Sequence, residues 1–326
     1  MVKAIRIHEF GEADVLKWED IEVGDPGPGQ LRLRHTVIGF NFLVIMVRKG
    51  LYPVLPELPS VLGTEAAAVI EAVGAGVDDF SVGQRVVYAS TYPGSYAEAR
   101  LIDAAQVVAL PDNVSDEDAA ASLLKGMTAE YLIHRTYPAQ AGETALVHAA
   151  AGGVGLFLCQ WLASKGVTVI GTVGSDAKKE TILENGAKHA VNYKTENFTE
   201  VAREVTGGEG VHVVYDSVGK DHYQGSIDAL RPRGYMVNFG NASGPVPPID
   251  AVELNVKGSL FFTKASMRFY QLNRQELDDS AATLFAAIAA GDIKPVIGQT
   301  YALQDAAQAQ TDVWDGKTTG STLLTV

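Results

Sequence analysis

Along residues 30–38, QLRLRHTVI, apolar and polar positions alternate, with Leu31, Leu33, His35 and Val37 on one face. A period of two predicts a half-buried strand. Within it, His35 is expected to be a satisfied structural histidine rather than a ligand. Residues 2–7 also alternate, and Val61–Val73 and Gln84–Ser90 continue the strands. Glycines and prolines, such as those in Gly24–Gly29, punctuate this part, so it reads as an irregular, mostly β domain. At Ser115–Leu124 the texture changes, because Ser115 followed by Asp116, Glu117 and Asp118 marks a helix N-terminus. Helical and strand patterns then alternate to about residue 262. They include a buried strand over Gly210–Ser217 (Val211, Val213, Val214, Tyr215), then Tyr235–Asn241 and Gly258–Thr263. Such alternation predicts a parallel sheet covered by helices. The tail predicts a helix over Arg274–Ala290 ended by Gly291, a strand near Ile297–Tyr301, a helix near Asp305–Val313 and a last strand, Leu323–Val326.

The most informative stretch is Ala145–Gly166, ALVHAAAGGVGLFLCQWLASKG. Ala145, Leu146 and Val147 form the unbroken apolar run of a strand buried on both faces. From Gly153 onward Val154, Phe157, Leu158, Trp161 and Leu162 recur with helical period, and Gly166 supplies the stop. The Gly152-Gly153 pair, with His148 and Gln160, argues against a membrane span. Between strand and helix lies Ala150-Ala151-Gly152-Gly153-Val154-Gly155, a dinucleotide fingerprint with alanine in place of its first glycine. Gly152 would let backbone approach a pyrophosphate, Gly155 would let the helix pack closely on its strand, and the helix N-terminus would present N–H groups to the phosphates.

Roughly 20 residues past such a turn, an NAD site places an acidic side chain against the ribose 2′-hydroxyl. Here the strand Val167–Val173 ends in Gly174 and Ser175, followed by Asp176, Lys178 and Lys179. A hydroxyl and nearby ammonium groups suit a 2′-phosphate, so the expected cofactor is NADPH. Asp176 is the awkward neighbour, with capping of the next helix as its expected role. The alternative, that the two lysines are only solvated surface charges, stands beside this reading.

Composition adds limits. The 326 residues are enough for two domains, and the 26 basic against 39 acidic residues give a net charge of −13. That balance speaks against nucleic acid as a partner. The single cysteine, Cys159, excludes an internal disulfide and a multi-thiolate metal site, and its expected role is that of a small buried hydrophobe. The N-terminal MVKAIRIHEFGE carries no export signal, which makes the cytoplasm the expected location and leaves no membrane partner.

Seen together, Gly39-Phe40-Asn41-Phe42, Gly50-Leu51-Tyr52-Pro53, Leu62-Gly63-Thr64-Glu65, Leu124-Lys125-Gly126-Met127-Thr128, His148–Gly155, Val214–Gly219 and Phe239-Gly240-Asn241 resemble the zeta-crystallin group of quinone oxidoreductases in the medium-chain dehydrogenase/reductase superfamily. The resemblance covers nearly the whole chain. It implies an α/β fold: a GroES-like β-rich catalytic domain plus a Rossmann doubly wound parallel-sheet cofactor domain. The implied boundaries are 1–121 for the first part of the catalytic domain, 122–263 for the Rossmann domain, and 264–326 for the part completing the catalytic domain. Zinc-dependent members carry a histidine where this chain has Thr64 and a cysteine near Asn41. Their catalytic metal site is therefore not expected, and no metal ligands are assigned.

The resemblance further implies Asn41, Tyr52, Lys125 and Thr128 at the catalytic centre. It implies Gly152, Gly153, Val154 and Gly155 at the pyrophosphate, and Ser175, Lys178 and Tyr193 at the 2′-phosphate. Ser217, Phe239, Gly240, Phe262 and Thr263 would flank the nicotinamide, with core packing as the alternative for both phenylalanines. Close relatives have an acidic residue and a tyrosine where this chain has Val44 and Met46, which predicts a more apolar quinone pocket. The implied activity is zinc-independent, NADPH-dependent quinone reduction in an interdomain cleft. Reduction of activated C=C bonds, or NADPH binding with little turnover as in a crystallin, are the alternatives. A homodimer formed through the Rossmann domain, near Gly258–Thr263, is also implied.

Overall fold

The computed structural model describes residues 1–90 and 92–326. They form two compact units: Met1–Lys125 with Leu272–Ala289 and Pro295–Val326, and Gly126–Gln271 with Ala290–Lys294.

The first unit is built on a seven-stranded sheet. Its strand order is Ile297–Ala302, Ser321–Thr325, Gln30–Gly39, Glu65–Val73, Arg85–Ala89 and Val107–Ala109, and Ala99–Asp103 also pairs with Gln30–Gly39. A smaller sheet joins Lys17–Ile21, Val2–Ile7 and Ser60–Val61. The alternation in Gln30–Gly39 is the observed burial pattern, and Leu31, Leu33 and Ile38 enter the core with Ile5, Leu62 and Tyr88. His35 is buried among them, its Nδ1 2.6 Å from the Ala97 carbonyl and its Nε2 2.7 Å from the Tyr88 hydroxyl. The carbonyl can only accept, so Nδ1 carries the proton and Nε2 accepts from the tyrosine. Burial pushes its pKa down to about 4. The structural role expected for His35 is the one observed.

Sequence pattern did not reveal the helix Phe42–Arg48, which follows directly on the strand. Asn41, in extended backbone, precedes it, and Val44, Ile45 and Val47 are buried along it. Val44 joins the core of this unit, with 1% of its surface exposed, while Met46 is half-buried. Val44 is therefore core packing and not the pocket wall that the sequence suggested.

The second unit holds six parallel strands in the order His189–Asn192, Thr168–Val173, Thr144–Val147, Val211–Asp216, Leu230–Asn238 and Phe261–Lys264. Thr144–Val147 lies between Thr168–Val173 and Val211–Asp216, so the strand order reverses there, and ligands of open α/β sheets bind beyond the strand ends at that reversal. Ala145, Leu146 and Val147 are fully buried, as an interior parallel strand requires. Cys159 is buried in the helix Gly153–Ser164, and loss of water pushes its thiol up to about 12.

Candidate functional site

In the first unit the candidate residues converge on a glutamate. Glu65 opens its strand with none of its surface exposed. Its Oε2 accepts from Asn41 Nδ2 at 2.8 Å and from Lys125 Nζ at 3.0 Å, and its Oε1 accepts from the Leu124 backbone N–H at 2.6 Å. Gly39 makes the space, since a Cβ there would lie 2.5 Å from Oε2 and 2.2 Å from the Ala120 carbonyl. The buried amide of Asn41 thus gives its Nδ2 to Glu65 and offers Oδ1 as its acceptor. The Lys125 ammonium is committed to a buried ion pair. Tyr52 shares no hydrogen bond with this cluster. It lies 40% exposed in a segment where Leu51, Val54, Leu55 and Leu58 are exposed too. Thr64 is buried, and its Oγ1 has no hydrogen-bond partner among the described residues.

In the second unit the fingerprint turn has the shape its sequence predicts. Ala149 adopts the left-handed region (φ 50°), and Gly152 stands at the N-cap of Gly153–Ser164 with no side chain capping the helix. The first N–H groups, on Gly153, Val154 and Gly155, therefore point outward from the helix start. A Cβ on Gly155 would lie 2.4 Å from the Ala149 carbonyl, and one on Gly152 3.2 Å from the same oxygen. Glycine keeps this cradle open, and a pyrophosphate fits it. Thr128 is buried in the helix Asp116–Tyr131.

Beneath the turn lies a polar network that sequence pattern gave no reason to single out. His148 Nε2 is 2.8 Å from Ser226 Oγ, and its Nδ1 is 3.0 Å from Thr172 Oγ1 and 3.2 Å from His222 Nδ1. Ser226 donates to the His222 carbonyl, so it accepts from His148 Nε2–H. His148 Nδ1 is then an acceptor, and His222 donates from Nδ1. Burial, reinforced by His222, holds the His148 pKa well below the ordinary value. His222 also meets the ring of Tyr193 edge-on at 4.8 Å.

At the end of Thr168–Val173, a Cβ on Gly174 would lie 2.9 Å from the Tyr193 hydroxyl, so glycine lets that ring close on the strand end. Ser175 and Lys178 stand at either end of the short helical turn Asp176–Lys178. The two lysines differ. Lys179 is ion-paired to Glu196, and to Asp176 at 3.5 Å, as a surface charge would be. Lys178 has its pKa lowered, first by burial and then by the charge of Lys194. Asp176 does not cap: its carboxylate accepts from Asn192 Nδ2 at 3.1 Å and faces Lys179.

Beyond the strand reversal, a Cβ on Gly240 would lie 2.6 Å from the Ser217 carbonyl, so the turns carrying Ser217 and Phe239 touch through a glycine. Phe262 packs against Tyr223, 6.4 Å between ring centres, and joins the core of the unit. Thr263 follows it, half-buried.

An alcohol dehydrogenase GroES-like domain matches residues 27–112, and a zinc-binding dehydrogenase domain matches residues 153–278. A 2-haloacrylate reductase of Burkholderia sp is 46% identical over 99% of both chains, and a quinone oxidoreductase of Pseudomonas aeruginosa 45% identical over 99% of both. The structure of Escherichia coli quinone oxidoreductase complexed with NADPH superposes with a TM-score of 0.96 at 43% identity, covering 99% of this chain and 100% of that one. The chain belongs to the quinone oxidoreductase family. Within the medium-chain dehydrogenase/reductase superfamily, this membership accounts for the pairing of a GroES-like unit with a Rossmann-type one. Among the described residues, no three His, Cys, Asp or Glu side chains are grouped so as to hold a metal ion, and no helix is long and apolar enough to cross a membrane.

Proposed function

We propose that this protein is an NADPH:quinone oxidoreductase that works without zinc. The observation that carries the reading is the strand-end crevice of the second unit, with an uncapped helix N-terminus at one strand and the cationic pair Lys178 and Lys194 at the next. Gly152, Gly153, Val154 and Gly155 would hold the pyrophosphate, and Ser175, Lys178 and Tyr193 the 2′-phosphate. Ser217, Phe239, Gly240, Phe262 and Thr263 would border the nicotinamide. When bound, NADPH supplies a hydride to an electrophilic acceptor. Asn41, Lys125, Thr128 and Tyr52 orient that acceptor. Lys125 does so as a fixed charge, because its ammonium is ion-paired to Glu65. The one proton that completes the hydroquinone after hydride transfer comes from solvent. The reading extends to a cytoplasmic homodimer. Support for the dimer is the edge strand Phe261–Lys264, whose Phe261 is half exposed, as Val252 and Val256 of the preceding helix Ala251–Val256 are exposed too. An unpaired apolar edge favours a second copy as its cover.

A second reading, reduction of an activated C=C bond, has one specific observation behind it. The 2-haloacrylate reductase is as similar to this chain as the quinone oxidoreductases are. Steady-state oxidation of NADPH and NADH with 1,4-benzoquinone, a naphthoquinone and a simple enone separates the two. Rapid NADPH oxidation on quinones, with NADH poor, is the expected result. Turnover on the enone alone moves the assignment to the second reading, and turnover on none removes both.

A further inference from the structure

One side chain ties together the ends of neighbouring strands in the second unit. Lys264 closes the edge strand, and although the residue is exposed, its ammonium turns onto three oxygens. It donates to Asn238 Oδ1 at 2.5 Å, to Asn241 Oδ1 at 3.1 Å and to the Gly240 carbonyl at 3.3 Å. An ammonium has three protons, and each has an acceptor here. Asn238 passes the constraint on, for its Nδ2 donates to Asp216 Oδ2 at 2.8 Å and to the Gly240 carbonyl at 2.9 Å. Asp216 in turn accepts from the backbone of Val218 at 2.7 Å and Gly219 at 3.1 Å. The turns leaving Val211–Asp216 and Leu230–Asn238 are thereby fixed to each other and to the end of Phe261–Lys264.

A solvated lysine at a sheet edge would look different. It would keep its ordinary pKa and leave the Asn238 and Asn241 amides free to rotate. Burial of this ammonium instead lowers its pKa, with Asp216 opposing the shift. Backbone bonds from Phe239 N–H to the Asp216 carbonyl at 2.8 Å and from Ala242 N–H to the Ser217 carbonyl at 3.1 Å flank the Phe239–Asn241 turn, and the Asn238 and Lys264 side chains hold Gly240 and Asn241 between them.

We infer that Lys264 is a positioning residue for the nicotinamide half of the cofactor: by holding Asn238, Gly240 and Asn241 it sets the turn against which that ring is placed. The inference rests on the reading that NADPH binds at these strand ends. It is tested by calorimetric binding of NADPH and of 2′,5′-ADP, which has the adenosine phosphate but no nicotinamide, to wild type, Lys264→Met and Lys264→Arg, with circular dichroism to establish folding. Loss of the charged hydrogen bonds that hold this turn is expected to weaken NADPH binding by Lys264→Met about tenfold. The affinity for 2′,5′-ADP should stay within about twofold, and Lys264→Arg, which keeps charge and donors, should recover most of the loss. Unchanged NADPH affinity in Lys264→Met overturns the inference, as does a parallel loss of both ligands. Wild-type protein that binds 2′,5′-ADP but gains nothing from the nicotinamide overturns it as well. Wild type that binds neither ligand instead overturns the cofactor reading, and this inference with it.

Discussion

Two lysines of this chain are each held by a carboxylate and an asparagine, one set in each unit, and the two arrangements differ in what touches what. In the first unit Glu65 touches both partners, so Lys125 and Asn41 share a single carboxylate oxygen. In the second, Asn238 stands between Asp216 and Lys264, and carboxylate and ammonium meet only through its amide. Charge is cancelled at contact in the first case. In the second, both groups show the cost of burial: the Asp216 pKa is raised by desolvation and that of Lys264 is lowered by it. A direct pair anchors one point, whereas a relayed pair spans several strand ends but leaves part of its desolvation uncompensated.

The largest expected effect is at the direct pair. Glu65→Gln leaves the buried Lys125 without a counter-charge, which costs about 3–5 kcal/mol. Urea unfolding measures it, and a loss below about 1 kcal/mol would mean that the pair is not what holds this point. Next comes acid. The folded pKa of His35, lowered to about 4 by burial, lies beneath the ordinary histidine value. The unfolded chain therefore takes up its proton first, and stability is lost as pH falls from about 6.5 towards 4 by about 3 kcal/mol. His35→Gln should flatten that limb of the unfolding free energy against pH, and an unchanged slope would assign the acid loss elsewhere.

Double-mutant cycles then set the two knots against each other. Coupling between Glu65→Gln and Lys125→Met should exceed that between Asp216→Asn and Lys264→Met by at least about 1 kcal/mol, because only the first pair is in contact. Equal couplings would erase the distinction. An effect of similar size lies at the turn Asp176–Lys178. Lys178→Met should weaken NADPH about tenfold and leave NADH unchanged, read by titrating each nucleotide. Equal losses for both would remove Lys178 from the 2′-phosphate.

Much of this could be read along the chain, where the signal is local. The run Ala145–Val147 and the glycines after it specify strand, turn and helix within a few residues, and the helix Arg274–Ala290 has the bounds its apolar spacing predicts. The apolar run that becomes Phe42–Arg48 lacks a distinctive period, so its pattern alone does not select a helix. Glu65 was invisible as a hub. At the start of EAAAVIEAV it resembles a solvent-side charge, and its partners lie 24 residues before and 60 after it. The His148 network was hidden for the same reason, since Ser226 is 78 residues away. Pairings of that span arise from the topology of the sheet.

The pairing of Leu324 with Ile38 also has a consequence for synthesis. The strand Gln30–Gly39 leaves the ribosome early and gains Ala99–Asp103 along Gln30–Arg34, yet the Val37–Gly39 part of that edge has no partner until Ser321–Thr325 is made. Meanwhile the strands of the second unit, from Thr144 to Lys264, emerge in an uninterrupted stretch and can be completed first. During translation, then, the later-encoded sheet is finished while the earlier one waits with an open edge. The interval between those two events is when a nascent chain of this protein is most exposed to pairing with a neighbour.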